Sequence, residues 1–161
     1  MAGVKAADPY AAVKAALRAE PLEGQGPVHL IAVGKAAGAM MRGALECLPA
    51  TRLAGPGLVV TNYENAGDIP GCEIFAAGHP LPDDNGHAAA RAVAARATSA
   101  GAGEDVLVLV SGGASALLPL PVEGITLAEK IETTNQLLGC GADIVAINTV
   151  SKHLSQLKGG G

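Results

Sequence analysis

Lys35 is the first residue whose type and place point to chemistry. It follows Gly34 at the end of the apolar run 28–33, in the segment "AVGKAAGAM". Gly34 permits a tight turn, and the next residues read as a helix whose first N–H groups lack partners. A cation at that mouth would clamp a phosphate or a carboxylate. A merely solvated lysine there would oppose the helix macrodipole, which makes it the poorer account. The segment is not a P-loop, because His29 stands where that motif needs Gly and Ala36 where it needs Ser or Thr. Gly34 and Gly38 do not complete the Gly-x-Gly-x-x-Gly fingerprint either.

Three further loops carry polar groups. After the apolar run 105–110, Ser111, Gly112 and Gly113 of "SGGASALL" can fold into a nest of backbone N–H donors, with the Ser111 and Ser115 hydroxyls beside it. A turn that simply needs two glycines is the competing account, and the place at a strand's carboxyl end favours anion binding. Neither serine reads as a nucleophile, for no Gly-x-Ser-x-Gly elbow surrounds it. The loop "GHPLPDDNGH" gathers His79, Asp83, Asp84 and His87, with Pro80 and Pro82 stiffening it. His79 is the candidate for substrate contact. No metal ligand is assigned, since Asp84-Asn85-Gly86 is ordinary turn and cap chemistry and no HExxH spacing occurs. The final stretch "NTVSKHLSQLKGGG" holds Asn148, Lys152, His153 and Lys158. Lysine and histidine near a helix C-terminus commonly just answer the dipole, whereas Lys158 before three glycines has the make-up of a phosphate loop.

The elements that must hold these loops alternate from end to end. Asp8 is a plausible N-cap and Pro9 a first helical residue for "DPYAAVKAALRAE". Strands are expected at 28–33, 57–61, 72–76 and 105–110. Helices are expected at 36–48, at about 86–99 behind Asp84 or Asn85, from Thr126 with Glu129 completing a capping box, and at about 142–157. That order predicts an α/β fold, a doubly wound parallel sheet of Rossmann-like three-layer α/β/α form, with 28–33 and 105–110 as central strands. Ligands of such sheets sit at the carboxyl ends of the strands.

Composition excludes several classes. The 161 residues make one domain at about 150 residues each. Its 32 Ala and 22 Gly suit close helix-on-sheet packing. One Phe, two Tyr and no Trp disfavour a platform for single-stranded nucleic acid, which stacks its bases on rings. Fifteen acids against eleven bases, with no run of five like charges, leave no stripe for a polyanion. The longest apolar run is only strand-sized, and no signal-peptide core comes after the single early lysine, Lys5, so a cytoplasmic protein off the membrane is expected. Cys47, Cys72 and Cys140 are odd in number and far apart, and read as buried free thiols.

Taken together and in order, "VGKAAGAM", "AGHPLPDDNG", "LVSGGASALLPLP-EGITLAEK" and "GADIVAINTVSKHLSQLKGG" resemble the N-terminal domain of glycerate 2-kinases. These enzymes carry a C-terminal MOFRL domain and were formerly labelled hydroxypyruvate reductases. The resemblance implies ATP-dependent phosphorylation of D-glycerate to 2-phosphoglycerate, with ATP and a divalent metal such as Mg²⁺. It places the active-site lysine on Lys35, the Gly-rich loop on Ser111 to Leu118, and the later motifs on Lys152 to Ser155 and Lys158 to Gly160. Gly34, Ser111, Gly112, Gly113, Ser115, His79, Lys152 and Lys158 are thus the expected substrate or phosphate contacts. Ser151 stands where the family pattern has Arg. Residues 1–161 would form part of the N-terminal domain, with the MOFRL domain absent. A chain so truncated is expected to be inactive alone and to self-associate through uncovered apolar surface. The alternatives are an oxidoreductase acting on hydroxypyruvate, disfavoured by Thr61 and Asn62 where an acidic residue should end the second strand, and a non-catalytic binding module.

Overall fold

The computed structural model describes residues 7–159. Lys5 and Gly160 lie outside them. Helix α1 (Pro9–Ala19) starts as its sequence demands, with the Asp8 carboxylate accepting from the N–H groups of Tyr10 and Ala11 and Pro9 at the first turn. Next come β1 (Val28–Val33), α2 (Ala37–Cys47), β2 (Gly57–Asn62), β3 (Cys72–Ala77) and α3 (Asp84–Thr98). The chain continues through β4 (Asp105–Val110), the single turn α4 (Ala114–Leu117), α5 (Leu127–Gly139) and α6 (Ile144–His153).

The four strands are parallel in the order β3-β2-β1-β4. Two steps run one way from β1, and the third returns to its other side, so the order reverses between β1 and β4. Such a switch point is where open α/β sheets leave a crevice for ligand. Register sets the crevice: Val33 pairs with Val110, so β1 and β4 end level, while its pairing with Val60 on the other side leaves β2 running two residues further, to Asn62.

Side chains alternate between two cores. Leu30, Ala32 and Val59 pack with Val13, Ala37, Met41 and Ala44 of α1 and α2. Ile31, Val33, Leu58 and Val60 pack on the other face with Ala89 and Val93 of α3. This is the three-layer arrangement that the alternating pattern predicts.

One strand departs from expectation. β4 is not central but the edge of the sheet among the described residues. Leu107 and Leu109 join the α1–α2 core, while Val106, Val108 and Val110 stand 37%, 47% and 62% exposed. An unbroken apolar run says that a strand can be covered on both faces, not that it has a second neighbour. Three smaller corrections concern a cap, the last helix and the thiols. The N-cap of α3 is Asp83, whose carboxylate accepts from the Gly86 N–H at 2.8 Å, rather than Asp84 or Asn85. The last helix is shorter than predicted, beginning after Asp143. All three cysteines are free, but Cys140 is exposed and the other two are only half-buried.

Candidate functional site

The loops after β1 and β4 are welded at the switch point. The Ser111 N–H donates to the Val33 carbonyl at 2.8 Å, continuing the strand pairing by one residue. Its hydroxyl donates to the same carbonyl at 3.3 Å and accepts from the Ala36 N–H at 3.1 Å. The Lys35 N–H donates to the Gly112 carbonyl at 2.9 Å. Ser111 thus acts as a rivet between two loops, and two N–H groups at the mouth of α2 are already engaged. Gly34 makes the contact possible. Its φ is +118°, and a Cβ there would lie 2.6 Å from the Ser111 carbonyl oxygen. At the mouth of α2 the Lys35 side chain remains for a ligand; it is exposed and belongs to no ion pair among the described residues.

A third loop meets these two. Gly113 has φ +93°, and a Cβ there would come within 3.1 and 3.2 Å of His79 Cδ2 and Nε2 and 3.3 Å of Lys35 Cγ. Imidazole, lysine stem and glycine backbone therefore crowd one spot, although they are 34 to 44 residues apart in sequence at the closest pairs. His79 reaches it through a cis peptide to Pro80. The neighbouring Asp83 caps α3, and its other oxygen accepts from Tyr63 Oη at 2.5 Å. Burial alone would raise that carboxyl, but hydrogen bonds from Tyr63 and from Gly86 outweigh it and hold it low.

Of the later candidates, Lys158 turns back to Ser115, donating to its hydroxyl and, at 3.3 Å, to its carbonyl. Burial lowers the Lys158 pKa. Lys152 is exposed and shares with Lys158, Ser115 and Ser151 a cleft of about 570 Å³ floored by Val108 and Val110. Lys152 and Lys158 therefore stand at the same end of the sheet as Lys35, flanking the β4 side.

Two residues escaped the sequence reading. Glu64 comes just after β2, and its carboxyl is held low by its own backbone N–H and the Asn62 amide, with His79 and Lys35 adding attraction. The rule that singled out Lys35, polar chemistry just past a strand, applied there too. Lys130 gave no such signal, lying in the first turns of α5. It is 6% exposed and donates to the Leu154 carbonyl at 3.0 Å. Burial, aided by the charge of Lys158, pushes its pKa down to about 8.

That depression has a consequence for stability. Between about 8 and the ordinary lysine value of 10.5, the unfolded chain holds a proton that the fold has released. Stability therefore rises with pH across that window and loses this contribution as pH falls through 8. Denaturant midpoints should climb from pH 8 to 10, and Lys130→Met should flatten most of the climb. A midpoint unaffected by the substitution would contradict it.

Among the described residues, no three His, Cys, Asp or Glu side chains gather to hold a metal ion. The arrangement suits positioning and neutralising an anion, with the His79 imidazole and the Asp83 and Glu64 carboxylates nearby.

A model of a domain of unknown function, DUF4147, matches residues 1–161. The chain is similar to a D-glycerate 2-kinase of Thermotoga maritima, 46% identical over 134 residues, 83% of this chain and 32% of the relative. It is also similar to a glycerate 2-kinase of Pyrococcus horikoshii, 39% identical over 166 residues, 98% of this chain and 37% of the relative. The crystal structure of a glycerate kinase from Thermotoga maritima superposes with a TM-score of 0.89 at 44% identity, covering 98% of this chain and 37% of that one. The chain spans about a third of the length of these relatives.

Proposed function

The chain belongs to the DUF4147 family, and from that premise we propose that it forms one wall of a glycerate 2-kinase site. The reaction is transfer of the γ-phosphoryl group of ATP to the 2-hydroxyl of D-glycerate, giving 2-phosphoglycerate and ADP. The observation that carries this reading is the meeting of Lys35, His79 and Gly113 at the switch point. Kinase relatives matching over most of the chain support it.

Phosphoryl transfer asks a protein mainly for alignment and charge neutralisation. Lys35 offers the fixed charge. Gly113, lacking a side chain, lets its loop close on His79 and the Lys35 stem, and His79 contacts the substrate from the third loop. Gly34, Ser111 and Gly112 hold that geometry, while Ser115, Lys152 and Lys158 extend it towards β4. Mg²⁺ travels with ATP and neutralises phosphate charge when bound. The cytoplasm, where ATP is available, is the compartment we favour; no helix among the described residues is long and apolar enough to cross a membrane.

The test is a chimera in which this chain replaces the matching segment of the Thermotoga relative. ADP release with D-glycerate supports the proposal. NAD(P)H oxidation with hydroxypyruvate and no ADP release overturns it. The chain of residues 1–161 assayed alone should show no turnover, because one wall neither aligns two substrates nor excludes water.

We also propose that this chain alone pairs with a second copy. Among the described residues β4 has no second strand beside it and shows three exposed valines, with no charged or proline residue between Val106 and Val110 to blunt the edge. Light scattering should give a mass above 15.9 kDa that rises with concentration, and Val108→Lys should lower it. A monomer at every concentration would refute this.

A further inference from the structure

A second cleft, of about 400 Å³, opens beside the first between α4, α5, α6 and the loop Pro80–Pro82. Lys130 and Lys158 both line it, along with Ser115, Asn135, Asn148 and Ser151. Lys130 is almost wholly buried, yet among the described residues only one of its three N–H donors has a partner, the Leu154 carbonyl at the end of α6. Lys158 is half-buried and lies close enough for its charge to act on Lys130. No carboxylate lines the cleft, and neither lysine joins an ion pair among the described residues.

Two like charges drawn together out of water are unfavourable unless something negative sits between them. The fold places them there nonetheless. The same loops that carry His79 and Ser115 form one wall of the cleft, so it adjoins the Lys35 site. We propose that this cleft is an oxyanion subsite in which Lys130 and Lys158 together hold a phosphate or carboxylate group. Lys130 then serves two ends, tying α5 to α6 through Leu154 and presenting its remaining donors to the anion. Within the proposed kinase reading, on which the choice of natural ligand rests, the occupant is the charged end of a substrate or product lying away from Lys35.

Sulfate is the probe, because its charge is constant from pH 6.5 to 9.5. The charged group acting on Lys130 is Lys158; α6 presents a carbonyl, and α4 and the Pro80–Pro82 loop bring no acid to the cleft. Calorimetry on the full chain should show sulfate binding at pH 6.5 that weakens about 10-fold by pH 9.5 as Lys130 loses its proton. Lys130→Met should bind about 10-fold more weakly at pH 6.5 and lose most of the pH dependence. Lys130→Arg, which stays charged, should bind at both pH values. D-glycerate competing with sulfate would mark a carboxylate as the occupant, and inorganic phosphate competing alone would mark a phosphate. Equal affinity in folded Lys130→Met, or a pH-independent affinity in the unsubstituted chain, overturns the subsite. Should the methionine variant not fold, an arginine variant that keeps the full pH dependence overturns it. Sulfate binding needs no phosphoryl transfer, so a chimera without kinase activity would defeat the functional reading and leave this one standing.

Discussion

Lys35→Ala, made in the chimera that carries this chain, should lower turnover with D-glycerate by at least ~100-fold, the scale of removing one preorganised charge-stabilising donor. Lys35 is exposed and makes no ion pair among the described residues, so its charge answers no need of the fold. Its backbone N–H, bonded to Gly112, survives the substitution, and so does the Ser111 rivet. The melting temperature should accordingly stay near that of the unsubstituted protein while turnover collapses. An alanine variant retaining most of its turnover would move the phosphoryl-transfer site away from the switch point.

Gly34→Val should have the largest effect on stability. At φ +118° a β-branched side chain is strained by about 1–3 kcal/mol before any contact is counted. Its Cβ would also lie 2.6 Å from the Ser111 carbonyl oxygen and 2.8 Å from the carbonyl carbon, which are backbone atoms held by β1–β4 pairing. Relief requires the β1–α2 and β4–α4 loops to part, breaking the bonds from Ser111 to Val33 and from Lys35 to Gly112. A loss of roughly 3 kcal/mol should lower the melting temperature by roughly 6–12 °C. Lys35 would then leave Gly113 and His79, and turnover in the chimera should fall with stability. A normal melt for Gly34→Val would mean that the loops are not clamped as described.

Much of this was legible along the chain. β1 reads as doubly covered because six apolar or half-apolar residues run without a break, and all six are buried. The Asp8–Pro9 start of α1 and the Thr126–Glu129 capping box at α5 are local hydrogen-bond chemistry, complete within four residues, and both occur as read. Lys35 and the glycines at 112 and 113 stand out because they lie just past the ends of apolar strands, a placement that needs only the order of elements.

The tertiary structure decided what depends on partners distant in sequence. Ser111 looked like an anion contact, and only the approach of β1 shows its hydroxyl occupied by Val33 and Ala36. Val106, Val108 and Val110 have the same composition as a buried strand, and only the sheet order shows them at an edge. Lys130 lies in a stretch whose pattern is that of any amphipathic helix. Its burial comes from the return of the chain at Leu154 to Lys158, a folding event that no window around residue 130 contains. Sequence alone determined which elements form and which loops carry charge, because caps, turns and apolar periodicity act over a few residues. Which of those charges are free, paired or buried was settled by packing, because desolvation is a property of neighbours and not of spacing.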